Sequence, residues 1–597
     1  MNFIKTVLAS FTGFLLGLIL LFIIGFFFII NISISSKSEP YISNNSVLTI
    51  DLLGNIPDRT TENPIDKIFR NRDFSKVSLK NLKMNLDKAA TDKRIKGVWL
   101  RMDYLTTSWA TLEDVRDKLI QFRKKSGKFI YCSTGDIGYN EKSYYVATAA
   151  DSIFSPPESY FEFDGFYLQT TFYKGLMDKI GIEPEISREG KYKSAVEPYL
   201  QKNYSEANKQ QLSELLKDIN ASYLKAVSER SGHPEKELEN WLNEAPHITA
   251  EYAMQKHFID GLLYPEEVIS HIKQRLGFGE DSDLNTVSFD RYTEVSPGKA
   301  GINIPQTNNR IAVIYAEGEI VPLNPNSSPL SNTRYITAKD FRHDLDRIEA
   351  NPNVKALVVR VNSPGGSGST SDLIWKMLEE TKKKMPVIVS MGSVAASGGY
   401  YMSVAADTIV AMPNTITGSI GVFGTKFNAK KLFNDKLGVT FDVVKSSKNA
   451  DWLLQTKPFT DSESKAFQHY IDNFYETFVS RVATSRGLRP SYVDSIAQGR
   501  IWTGQDALKE HLVDVLGDLD DAISIAAQKA GVQKYTVIMY PKPKSFIESF
   551  AQSLDTKASA WFDSFYPGEH EISRIARYIH ENPRQVQALL PVTIDVQ

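Results

Sequence analysis

DLDRIEANPNVKALVVRVN, residues Asp344 to Asn362, has a twin in the same chain. NLDKAATDKRIKGVWLRMD, residues Asn85 to Asp103, aligns on it without a gap. The correspondence continues downstream. Tyr144 and Tyr145 fall on Tyr400 and Tyr401, and Asp151 on Asp407. KIGIEPEI from Lys179 falls on KLGVTFDV from Lys436, and ITAEYAMQKHFIDGL from Ile248 on WTGQDALKEHLVDVL from Trp502. Paired positions lie roughly 250 to 260 residues apart, far beyond the period of a solenoid repeat. The chain is therefore a tandem duplication of one whole domain. The copies span residues 45–275 and 310–535, joined by a linker at 276–309 that is rich in Asp, Ser, Pro and Gly.

Within a copy the pattern is α/β. VKALVVRVN is a short, continuous β-branched run of the kind that forms a strand buried on both faces. TSDLIWKMLEETKKK follows with helical spacing of Leu373, Trp375, Met377 and Leu378. PVIVSMG and ADTIVAMP are further buried strands. Alternating strands and helices predict a parallel sheet covered by helices.

Composition excludes several functions. At 597 residues with a net charge of −2, the chain lacks the strongly basic balance of a nucleic-acid partner. Its single cysteine, Cys132, and the absence of CxxC and HExxH motifs argue against a metal centre, and no cofactor motif is present. No charged residue occurs from Thr6 to Ser36. The run Phe11 to Ile30 is long enough to cross a bilayer as one helix. It is too long for a cleaved signal peptide, and NISISSKS after it makes a poor cleavage site. Residues 1–36 are thus expected to be a cytoplasmic tip and membrane anchor, with residues 6–36 in contact with lipid and everything beyond on the far side. The amphipathic tail, 536–597, is expected to pack on a neighbour.

Two glycine-rich turns could carry chemistry. RVNSPGGSG, Arg360 to Gly368, joins a strand to a helix, so its amides can face an oxyanion; an unliganded tight turn is the plainer alternative. SVAASGGYY places Ser397 between a strand and a helix. A serine needs a base. The only histidines repeated in both copies are His257 and His511, and one of these copies has no matching serine. That points to structural roles for both. The copies differ in a complementary way: Ser397 aligns with Glu141, Gly398 and Gly399 with Lys142 and Ser143, and NSPGG with DYLTT. Conversely, Lys193 in REGKYKSAVEP aligns with Ala450. One site assembled from both copies explains this asymmetry.

NSPGGSG, SVAASGGYY, TGSIGVFG and GKYKSAVEP together resemble the long, duplicated form of the bacterial signal peptide peptidase A (protease IV) family. These are membrane-anchored peptidases built from a crotonase/Clp-protease-like ββα-type domain. The resemblance implies a Ser/Lys dyad with Ser397 as nucleophile, Lys193 as general base and Ser419 orienting the lysine. It implies an oxyanion hole from the backbone amides of Gly366 and Gly398. It also implies a homo-oligomer, commonly a tetramer, at the bacterial inner membrane, with periplasmic catalytic domains that degrade remnant signal peptides. A lysine base must be neutral, which near pH 7–8 means a fall of about three from its ordinary 10.4, or roughly 4 kcal/mol. Burial can supply it, and Arg188 and Lys191 could add to it if they lie close in space. Small residues around Ser397 leave room for small or apolar substrate side chains. An acyl-CoA hydratase or isomerase of the same superfamily and a non-catalytic membrane scaffold are the rival readings.

Overall fold

The computed structural model describes residues 39–60, 77–244, 247–325, 333–542 and 587–589, with scattered residues between 6 and 21. The expected membrane span, Phe11 to Ile30, falls mostly outside them. Among the described residues no helix is long and apolar enough to cross a membrane.

Two parallel sheets with one strand order account for the sequence repeat. In the first copy the order is Thr286–Ser288, Ser46–Gly54, Ile95–Leu105, Phe129–Ser133, Ser152–Ser155 and Gly261–Leu262. In the second it is Thr536–Tyr540, Arg310–Glu317, Val354–Ser363, Val387–Ala396, Thr408–Ala411 and Val515–Leu516. The strands are buried runs because helices cover both faces. In Val354–Ser363 only Lys355 and Asn362 fall short of full burial.

The residues repeated between copies are pins of this fold. Asp151 accepts from the Ile130 amide, and Asp407 accepts from Val387. The hydroxyl of Tyr144 donates to the Phe258 carbonyl at 2.9 Å, and that of Tyr400 to Leu512 at 2.8 Å. His257 and His511 both end a helix in the left-handed region, at φ 56° and 58°, which explains their repetition as turn residues.

Three expectations shift in detail. In the helix Gly368–Lys382 the core face is Ile374, Trp375 and Leu378, while Leu373 points to solvent. The segment 276–309 is partly built into the first copy: Thr286–Ser288 pair with Ser46–Gly54, and Phe289, Tyr292, Val295 and Ala300 enter its core. The strand Thr536–Tyr540 plays the same part in the second copy, which therefore reaches beyond residue 535.

The copies are firmly joined. The strand Glu183–Glu189 leaves the first copy and pairs antiparallel with Val422–Asn428 of the second, from Val422 opposite Glu189 to Asn428 opposite Glu183. Arg360 forks onto the Asp58 carboxylate at 3.0 and 3.1 Å, both groups buried. Such a pair requires its planar two-bond geometry to offset desolvation.

Candidate active site

Lys193 follows the strand that crosses between the copies. Its approach to the second copy depends on two glycines. Gly190 lies against the Gln498 backbone, where a Cβ would sit 2.5 Å from the Gln498 carbonyl carbon. A Cβ on Gly499, at φ +77°, would sit 2.6 Å from that of Lys193. The Tyr192 amide donates to the Gln498 carbonyl at 2.8 Å, which fixes the loop in place. The result is a lysine with no exposed surface at all. Its Nζ lies 2.7 Å from Ser397 Oγ, 3.0 Å from Ser419 Oγ and 3.2 Å from the Ser419 carbonyl oxygen. Among the described residues no carboxylate balances it. Burial holds its pKa well below the ordinary lysine value.

Ser397 sits between Val387–Ala396 and the helix Gly398–Ser403. Its backbone is at φ 54° and ψ −116°, strained for a residue with a Cβ. Its side chain does not cap the helix that it precedes and is left for Lys193. The strain is held by two bonds: the Ser397 amide donates to the Gly418 carbonyl, and the Tyr401 amide to the Ser397 carbonyl, each at 2.8 Å. Ser419, at φ 50°, is held the same way, its amide donating to Arg500 at 2.7 Å.

The other glycine-rich turn lies beside this one. A Cβ on Gly399 would come within 2.8 Å of the Ser363 carbonyl, so the two turns meet in backbone contact. Gly366, at φ +145°, pairs with Ile320, whose carbonyl oxygen would be 2.0 Å from any Cβ there. The strand Gly365–Ser367 pairs on its other side with the chain's own Gln587–Leu589, antiparallel, and Gln587 also meets Phe423. The described part of the tail at Gln587–Leu589 therefore lies against its own chain.

The profile of peptidase family S49 matches residues 123–278 and again residues 379–533, once in each copy. The chain belongs to peptidase family S49. It is a serine peptidase similar to the chloroplastic serine protease SPPA of Arabidopsis thaliana, at 36% identity over 84% of this chain and 72% of the relative. Protease 4 of Salmonella typhi is 32% identical over 78% of this chain and 74% of its own. Protease 4 of Haemophilus influenzae is 30% identical over 88% and 85%. Among solved structures, ClpP1 from Listeria monocytogenes matches 35% of this chain with 94% of its own, at 16% identity and a TM-score of 0.24.

For an S49 peptidase the structure brings Ser397, Lys193 and Ser419 into one hydrogen-bonded cluster, with Gly366 and Gly398 in the two adjoining turns. Arg188 does not act as expected. Its guanidinium donates to the Lys193 carbonyl at 3.5 Å, and Lys191 lies over the Tyr192 ring. Neither depresses Lys193, whose shift comes from burial. The sequence reading missed Gln211, a buried residue of the helix Glu206–Ser231. Its Nε2 donates to the Tyr192 carbonyl at 3.2 Å and to Ser194 Oγ at 3.1 Å, while its Oε1 accepts from the Ile501 amide at 3.1 Å. It clamps the lysine loop of one copy to a strand of the other. Nothing in its sequence neighbourhood signals this, because its partner at Ile501 lies 290 residues away.

Proposed function

We propose that this serine peptidase works through a Ser/Lys dyad made from its two copies, Ser397 as nucleophile and Lys193 as general base. The observation that carries the reading is the 2.7 Å contact between Lys193 Nζ and Ser397 Oγ in a site closed to solvent. With the amine neutral, the serine O–H donates to the Nζ lone pair. Attack on a peptide carbonyl then passes the serine proton to Lys193, and the tetrahedral oxyanion turns toward the backbone amides of Gly366 and Gly398. The lysine ammonium protonates the leaving amine. A water molecule, deprotonated in turn by Lys193, hydrolyses the acyl-enzyme. Ser419, bonded to Nζ by both its hydroxyl and its carbonyl, holds the amine on line.

The substrate is an extended peptide added as a strand. The edge of Gly365–Ser367 already accepts one strand, Gln587–Leu589, running antiparallel beside the turns. The apolar run Phe11 to Ile30 supports a single membrane anchor with both copies on the periplasmic side. Family resemblance supports a homo-oligomer, a tetramer by preference, acting on remnant signal peptides. Hydrolysis of a synthetic signal-peptide core and of casein by the wild type, Ser397→Ala and Lys193→Ala tests the reading. Loss of both activities in both variants is the expected result. Undiminished cleavage by either variant removes the dyad, and cleavage of casein alone removes the signal-peptide assignment.

A further inference from the structure

One side chain holds the lysine loop on both sides of Lys193. Gln211 Nε2 donates to the Tyr192 carbonyl at 3.2 Å and to Ser194 Oγ at 3.1 Å. Its Oε1 accepts from the Ile501 amide at 3.1 Å. Ile501 stands at the centre of the second copy's half of the site. It pairs with Gly418, whose carbonyl holds the Ser397 amide. It also follows Arg500, whose carbonyl holds the Ser419 amide. A single buried amide therefore ties the backbone that carries Lys193 to the backbone that carries Ser397 and Ser419.

A glutamine does this only the right way round, because its two ends are a donor and an acceptor of nearly equal shape. A buried carboxylate sets that polarity. Glu197 accepts from the Ser205 amide at 3.3 Å, from Ser205 Oγ at 2.5 Å and from Asn208 Nδ2 at 3.0 Å. Asn208 must turn its Nδ2 toward this acceptor, so its Oδ1 faces Gln211 and accepts from Nε2 at 2.9 Å. That leaves Gln211 Oε1 for Ile501. The second copy shows that the fold does not need this relay. Its matching helix, Asp461–Arg486, has the same 26 residues as Glu206–Ser231, between a Ser or Thr cap and a left-handed Gly. It carries Glu463 and Ala466 at the positions of Asn208 and Gln211, as it carries Ala450 at that of Lys193. The relay and the lysine occur together in one copy and are missing together from the other.

We infer that Gln211 is a positioning residue for the dyad, its amide oriented by Glu197 through Asn208 so that Lys193 Nζ stays at Ser397 Oγ and closed to solvent. This rests on the Ser/Lys reading above and deepens it. The bonds of Gln211 go to backbone and to Ser194, so it acts on the amine through the loop. The second copy presents the hydroxyls of Ser397 and Ser419 and the Ser419 carbonyl to Nζ. The charged groups around the loop are Arg188 at the Lys193 carbonyl, Lys191 and Arg500 over the Tyr192 ring, and Glu197 behind Asn208. None of them sets the proton affinity of Lys193, which follows from burial. A loop released from Gln211 admits water to Nζ, and the lysine returns toward its ordinary pKa.

The test uses the full-length chain in detergent. Gln211→Met keeps the length of the side chain and removes its amide. Its kcat on a synthetic signal-peptide core should fall about tenfold at neutral pH with KM unchanged. The pH profile of fluorophosphonate labelling of Ser397 should move to higher pH by about one. Glu197→Gln, which keeps the shape but lets Asn208 turn either way, should move the profile in the same direction by less. A merely structural clamp lowers denaturant midpoints without moving that profile. A folded Gln211→Met whose labelling profile coincides with the wild type therefore overturns the positioning role, whatever its stability. Glu197→Gln decides by the same criterion should Gln211→Met fail to fold. Lys193→Ala, run alongside, separates the two readings. Wild-type labelling of that variant overturns the dyad itself, whereas its loss beside an unchanged Gln211→Met overturns the positioning role alone.

Discussion

The start of the helix Glu141–Ala147 and the start of the helix Gly398–Ser403 are the same turn in two conditions. In the first copy Asn140 takes an ordinary extended conformation at φ −89°. Its side chain accepts from the Ser143 amide at 3.0 Å, and the Ser143 hydroxyl accepts from the Asn140 amide at 3.0 Å. This is a capping box, worth about 1 kcal/mol. In the second copy the residue before the helix is Ser397, in the left-handed region and without a cap. Its hydroxyl goes to a lysine instead. Non-glycine residues held in such conformations cost about 1–3 kcal/mol. The second copy thus keeps a strained, uncapped turn, and the first has relaxed into a stable one. The position that lost the serine carries Glu141, a buried carboxyl pushed up to about 8, chiefly by burial. The difference separates what the fold needs from what the proposed reaction needs: both turns keep their tyrosine and aspartate pins, and only one keeps the serine proposed as nucleophile.

The strongest way to break this contrast is to remove the base. Lys193→Met should lower kcat/KM by about 10⁴–10⁶-fold, the usual scale for losing one member of such a unit. The same variant should be more stable than the wild type at neutral pH. In the native state the buried lysine has a lowered pKa. Between that value and about 10.4 the unfolded chain therefore binds one proton more than the folded one. Wild-type stability gains from this residue as pH rises through that window, and denaturant midpoints at two pH values should show the gain disappear in Lys193→Met. For catalysis the wild type should gain kcat/KM with pH as Lys193 loses its proton.

Next in size is Gly499→Ala. The new Cβ would meet Lys193 Cβ at 2.6 Å in a backbone conformation that disfavours it. A displacement of about 1 Å at the base should cost roughly 10²-fold in kcat, with circular dichroism unchanged. Ser419→Ala removes one of the bonds that orient the amine and should cost about tenfold by the same measurement. The smallest effect belongs to the silent turn. Asn140→Ala should destabilise the chain by about 1 kcal/mol in denaturant unfolding, with peptidase rates untouched.

Much of this was readable in the sequence because it is written twice. The duplication, the buried β-branched strands and the tyrosine and aspartate pins are local patterns that recur in both copies. The complementary losses at Ser397 and Lys193 pointed to one shared site. What stayed hidden depends on contacts between distant segments. Gln211 looks like any polar residue on a long helix until Ile501 folds against it. Gly499 sits in a plain AQGR turn, and only the approach of Lys193 makes its missing side chain matter. Leu373 fits a helical period as well as Ile374 does, and the sheet chose the other face. The charges of Arg188 and Lys191 invited an electrostatic account of the lysine, whereas burial accounts for it.

The central claim is that one chain supplies both halves of the dyad, the nucleophile from its second copy and the base from its first. Ser397→Ala and Lys193→Ala chains, co-expressed and purified as mixed particles, test it most directly through fluorophosphonate labelling and peptide hydrolysis. Each mixed particle contains an intact serine and an intact lysine, but on different chains. The account predicts labelling and hydrolysis no higher than in Lys193→Ala alone, because the contact closes within a chain. Recovery toward about a quarter of the wild-type rate, the share of junctions at which random mixing sets an intact serine beside a neighbour's intact lysine, would contradict it.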